Sequence, residues 1–128
     1  MKTLLLALVC TVLLSACGKA PVAPSSDAAP ADGRPVLMEF GSTKCKACQE
    51  MKPVIDGLRD ELSGLIDVIM VDVALEPEQA EQHGIELIPT QIFKGADGRE
   101  LFRHTGFFSR EAILAKWQEL GISVAAAP

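Results

Sequence analysis

Positive charge is scarce in this chain. Twelve Lys and Arg against 17 Asp and Glu leave a net charge of -5 over 128 residues, and aromatics make up only 5%. There is no basic stripe interleaved with aromatic side chains, so the electrostatic footprint of a nucleic-acid binder is missing. No glycine-rich loop follows a strand-like run, which argues against a phosphate cradle and a nucleotide cofactor. Cysteine is sparse as well, at positions 10, 17, 45 and 48. Nearly half the residues are hydrophobic and no long polar run interrupts them. That leaves room for one small α/β domain.

The one extended apolar run, residues 3–16 after Met1 and Lys2, has the charged start and short hydrophobic centre of a secretory signal peptide. It is too short to span a bilayer comfortably. It ends Leu14-Ser15-Ala16-Cys17-Gly18, which resembles the bacterial lipobox. The resemblance implies a signal peptide of residues 1–16, cleavage before Cys17 and lipidation of Cys17; the plainer alternative is an ordinary signal sequence with an incidental cysteine. An acylated Cys17 would hold the protein at a membrane surface facing the periplasm or cell exterior. Residues 17–34, rich in Pro, Ala and Ser and without apolar periodicity, read as a flexible tether.

With Cys10 discarded and Cys17 lipidated, Cys45 and Cys48 are the remaining thiols. A bridge across so short a loop removes little unfolded-state entropy, so a structural staple is the weaker reading of the pair. Placed one helical turn apart, the two sulfurs can close a small disulfide ring with only the first exposed to attack. A zinc site needs about four ligands, and only His83 and His104 are available to join the thiols, so no metal is expected.

Residues 36–40, Val-Leu-Met-Glu-Phe, form a nearly continuous apolar run, the pattern of a strand buried on both faces. Glu39 is its anomaly, because a carboxylate there is costly unless neutralised, paired or useful; the alternative is a strand edge facing water. After the cap-like Gly41-Ser42-Thr43, a helix is expected from near Cys45 to about Leu62, bent at Pro53. Its positive end, with Lys44 and Lys46, favours a thiolate on Cys45. Residues 66–73 read as a second central strand, parallel to the first. A short acidic helix over residues 76–84 follows, then Ile88-Pro89-Thr90, a strand over 91–94, a turn at 95–98 and a strand over 99–105 forming a hairpin. Ser109 opens a last helix whose apolar stripe is Ala112, Ile113, Leu114, Trp117 and Leu120. Residues 122–128 form a tail with no usable signal.

The order of these elements, with the dithiol after a strand, Pro53 in the helix, Ile88-Pro89-Thr90, the 95–98 hairpin and Gly106, resembles the thioredoxin superfamily over residues 35–121. The resemblance implies an α/β, thioredoxin-like fold, with a mixed four-stranded sheet and flanking helices and without the N-terminal strand and helix of full thioredoxins. It implies that Cys45 attacks, Cys48 resolves and Glu39 assists proton transfer at the resolving thiol. It further implies that Pro89 is the family's cis-proline, leaving the Ile88 backbone free to pair with an extended substrate. Lys44 stands where thioredoxins carry Trp, and Lys46-Ala47 where they usually carry Gly-Pro. These lysines would meet substrate and make the couple more oxidising, whereas an Ile before the proline is what reducing thioredoxins usually carry.

The expected activity is therefore that of an extracytoplasmic thiol–disulfide oxidoreductase, a monomer whose only redox group is the Cys45/Cys48 pair. It would reduce disulfides of exported proteins and draw electrons from a membrane or periplasmic thiol donor. A dithiol oxidant and a non-catalytic module for metal- or haem-protein maturation remain the alternatives.

Overall fold

A computed structural model describes residues 32–124. The expected signal peptide, Cys17 and most of the tether lie outside the described residues. The element order is β1 (Val36–Gly41), α1 (Lys46–Glu61), β2 (Asp67–Asp72), α2 (Pro77–Gln82), β3 (Thr90–Lys94), β4 (Glu100–Thr105) and α3 (Arg110–Glu119). The strands form one sheet in the order β2-β1-β3-β4. β1 runs parallel to β2 and antiparallel to β3, and β4 closes an antiparallel hairpin with β3. This is the mixed, four-stranded thioredoxin-like arrangement the sequence implied.

One expectation needs correcting. β2 is an edge strand and not a central one, which is why its Ile69 and Met70 stay 43% and 36% exposed. Asp67 N–H donates to Pro35 O at one end and Val73 N–H to Gly41 O at the other. The alternation of a parallel ladder therefore turns the backbone groups of Val68, Met70 and Asp72 outward. Two of those three carbonyls are covered, Val68 O by Arg59 Nε at 3.3 Å and Asp72 O by the amides of Leu75 and Glu76.

Side-chain alternation on β1 divides the molecule into two layers. Leu37 joins Met51, Ile55 and Leu58 of α1 and Ile113 and Trp117 of α3 on one face, where Phe93 stacks tilted on Trp117 at 4.6 Å. Val36, Met38 and Phe40 pack on the other face with Val71 and Ile92, on the side of α2. Glu39 shares the face of Leu37 and so lies beneath α1. β1 is buried along its whole length because it has a strand on either side and helices above and below. α1 runs unbroken past Pro53, whose ring sits on the exposed side.

Packing also reaches beyond both expected domain limits. Arg34 Nη2 bonds Asp67 at 2.8 Å, anchoring the end of the tether to the start of β2. Val124 is buried in the α1–α3 core and Ile122 N–H donates to Trp117 O, so packing continues past residue 121. Ser109 caps α3 as expected, its Oγ accepting from Ala112 N–H at 3.2 Å. Replacing Ser109 with Ala should cost about 1 kcal/mol, lowering the melting temperature by roughly 4–8 °C; thermal unfolding followed by circular dichroism checks this.

Candidate active site

Cys45 and Cys48 are joined by a disulfide, with their Cα atoms 5.2 Å apart. The pair sits at the start of α1 because β1 delivers the chain there and Ser42 O turns it by accepting the Cys45 N–H at 3.1 Å. Cys45, not Ser42 or Thr43, is the helix N-cap. Its Sγ accepts the N–H of Cys48 at 3.2 Å, the place a capping side chain takes when it satisfies an orphan amide of the first turn. Cys45 is partly exposed and Cys48 is buried, so the two sulfurs are unequal in access.

Across from the dithiol, the Ile88–Pro89 bond is cis, and the Ile88 carbonyl oxygen lies 4.0 Å from Cys45 Sγ. Among the described residues neither backbone polar group of Ile88 has a backbone partner. The ledge is held from behind. Pro89 O accepts Gly106 N–H at 2.8 Å, and Thr90 Oγ1 donates to Leu87 O at 2.8 Å. Leu87 and Phe107 flank it, 68% and 51% exposed. The sequence reading missed both; two large apolar side chains in loops beside the proline and Gly106 were the available signal.

Glu39 is only 2% exposed, which excludes the water-facing alternative. Neither of its carboxyl oxygens has a hydrogen-bond partner among the described residues. Burial in this apolar layer pushes its pKa from 4.5 to about 7, opposed by the neighbouring Gln91 amide. Gln91 is the cross-strand neighbour of Glu39 and fully buried, its Nε2 donating to Gly106 O at 3.2 Å. It too was missed, although a Gln inside an apolar strand run is the same kind of anomaly as Glu39. Glu39 approaches the resolving cysteine through Gly41: a Cβ built on Gly41 would lie 3.9 Å from Glu39 Oε1 and 3.6 Å from Cys48 Sγ. Lys44 and Lys46 are exposed beside Cys45. His83 and His104, the conceivable extra metal ligands, are not gathered with the cysteines: among the described residues no group of three or more His, Cys, Asp or Glu could hold a metal ion.

The family model for thioredoxin matches residues 27–119. The chain belongs to the thioredoxin family. It is 40% identical over 62 residues to Thioredoxin 1 of Nostoc sp., an alignment covering 48% of this chain and 58% of the cyanobacterial protein. It is 34% identical over 80 residues to the thioredoxin of Chlamydia muridarum, covering 62% and 76% of the two chains. Among solved structures, the malaria parasite's thioredoxin-2, described as a component of its protein secretion machinery, superposes with a TM-score of 0.63 at 21% identity over 67% of this chain and 82% of that one. The germline-specific thioredoxin Deadhead of Drosophila melanogaster gives 0.62 at 24% identity over 70% and 83%. At these identities the structures establish the thioredoxin fold. The CxxC pair of the thioredoxin family stands here closed as a disulfide, the equipment of thiol–disulfide exchange.

Proposed function

We propose that the protein is a thiol–disulfide oxidoreductase that reduces disulfides of exported proteins from a lipid-anchored position outside the cytoplasm. The observation that carries the exchange chemistry is the Cys45–Cys48 disulfide at the N-cap of α1, with the Ile88 carbonyl oxygen 4.0 Å from Cys45 Sγ. In the reduced form, a Cys45 thiolate is stabilised by the amide that already points at its sulfur and by the helix dipole. It attacks a substrate disulfide and forms a mixed disulfide. Cys48 then attacks Cys45 Sγ, releasing the substrate as a thiol and restoring the intramolecular disulfide. Glu39, buried beside Cys48, takes the proton that Cys48 must lose. An extended substrate segment lies along Ile88 and Pro89 in the manner of an added strand, with Lys44 and Lys46 on its path. A thiol donor supplies the electrons. Support for export and anchoring comes from the sequence of residues 1–17.

Lys44 and Lys46 favour a second reading, a dithiol oxidant, because cations beside Cys45 stabilise the reduced, thiolate form. Equilibrium with glutathione, read by thiol trapping, gives the potential of the couple. A value well above those of ordinary thioredoxins would sink the reductase assignment. Replacing both lysines with Gln should make the couple more reducing by roughly 20 mV, the size expected for two exposed charges. The shift should shrink at high salt.

A further inference from the structure

Behind the dithiol, between α1 and the edge strand β2, a largely apolar cavity of about 280 Å³ opens to solvent. Gly41, Val71 and Met70 form its walls, Lys52 stands at its rim, and Glu39 and Cys48 lie inside it. Cys45 is not among its lining residues. The cavity sits beside Gly41, where a Cβ would meet Cys48 Cβ at 3.4 Å, Cys48 Sγ at 3.6 Å and Glu39 Oε1 at 3.9 Å. Here lies a carboxyl that is almost wholly buried and, with only the Gln91 amide as its polar neighbour, has no hydrogen-bond partner within bonding geometry for either oxygen among the described residues. A buried polar group left in that state is a place for a ligand that can donate or accept one hydrogen bond.

We propose that this cavity is a second access route to the redox centre, admitting low-molecular-weight aliphatic thiols that attack Cys48 from behind while protein disulfides are handled by Cys45 in front. The proposal rests on the reading of the pair as an exchanging disulfide. It supplies a substrate class for the reducing half-reaction. Thiol–disulfide exchange needs the incoming sulfur to approach along the axis of the bond it breaks. The cavity touches Cys48 and leaves Cys45 out, so a thiol entering it would meet Cys48 first, with Cys45 as the leaving group.

An alkyl thiol in the cavity gives its proton to the Glu39 carboxylate, and its sulfur bonds to Cys48 Sγ as the Cys45–Cys48 bond breaks. The electron pair of that bond leaves on Cys45, where the Cys48 amide, the helix end and Lys44 and Lys46 receive the negative charge. A second alkyl thiol attacks the adduct at the alkyl sulfur, forming a dialkyl disulfide. Cys48 departs as a thiolate and takes the proton held by Glu39, and the proton of the second alkyl thiol passes to the Cys45 thiolate. Two thiols are oxidised to one disulfide, and the protein disulfide gains two electrons. The apolar walls select short, uncharged alkyl chains. The cavity's size, at the low end for ligand pockets, excludes peptides.

The test uses the full chain with Cys45→Ser, which leaves Cys48 as the thiol of the pair. Methyl methanethiosulfonate is the probe, and modification is read at Cys48 by peptide mass spectrometry. Filling the cavity with Gly41→Leu should slow labelling by at least about tenfold, the discrimination a few methylenes provide in an apolar pocket. Equal rates with Gly and Leu at position 41 would overturn the proposal. Should the Leu variant not fold, Gly41→Ala, whose methyl meets only ordinary contacts, should slow the probe by about threefold, and no slowing overturns the proposal equally. In parallel, Cys48→Ser is offered a protein disulfide. Capture there with a Cys48 that resists the small probe removes the rear route alone, while absence of capture removes the exchange reading itself.

Discussion

Cys48→Ser is expected to accumulate a stable mixed disulfide between Cys45 and its protein partner, and Cys45→Ser is expected to lose turnover by more than about a thousandfold. The asymmetry follows from the geometry at the start of α1. Cys45 is the partly exposed cap, its sulfur facing the Ile88 carbonyl, and among the described residues the one other cysteine is the buried Cys48. Cys48 is buried behind it and meets protein substrates only by attacking Cys45 Sγ. Removing Cys48 therefore halts the cycle after the first exchange, whereas removing Cys45 prevents that exchange. Insulin reduction measured by turbidity reports turnover, and non-reducing electrophoresis with mass spectrometry identifies the captured chain. Retention of the biological activity by Cys45→Ser, with insulin reduction lost, would move the protein to the non-catalytic, module-like alternative.

Glu39→Gln is the second large effect, and it has opposite signs for activity and stability. Turnover at pH 7 should fall about a hundredfold, the low end for loss of a placed acid–base group. The pH–rate profile should also lose its inflection near 7. The stability effect comes from burial of the carboxyl, which raises its pKa from 4.5 to about 7 in the folded chain. The folded state therefore holds a proton that the unfolded state has released between those two values. The cost is absent below pH 4.5, grows as pH rises, and is complete above pH 7, where it reaches on the order of 3 kcal/mol. Gln carries no such cost, so the variant should be the more stable protein at pH 8, while near pH 4 the two should match. Urea unfolding at both pH values checks this, and identical pH dependence in the two proteins would show that Glu39 does not titrate near neutrality.

Much of the active site was legible because its parts are chemically anomalous where they stand. Two cysteines at helical spacing, a carboxylate in an apolar strand and a proline at a strand start each conflict with their local background, and the structure gathers the cysteines and the carboxylate around the first turn of α1. The helix and strand limits followed from turn and cap residues to within a residue or two. What stayed hidden depends on neighbours far away in sequence. That residues 66–73 form an edge strand cannot be told from their β-branched composition, because composition reports burial on a face and not the number of flanking strands. Gly41 reads locally as part of a turn; only when α1 folds back over β1 does its missing side chain become a space between Glu39 and Cys48. Gln91 gains meaning from the register that sets it opposite Glu39. The packing of Val124 depends on a core assembled by α1 and α3, which its own Ala-rich surroundings do not announce.

The covered carbonyls of β2 bear on how these molecules behave when crowded. A strand from another chain zips onto a sheet edge by taking successive outward acceptors, and on β2 the first and last of three are already taken, by Arg59 and by the turn after Asp72. Met70 alone offers an uncovered one among the described residues, too little for a ladder to start. Copies that stand side by side therefore do not join their sheets through β2.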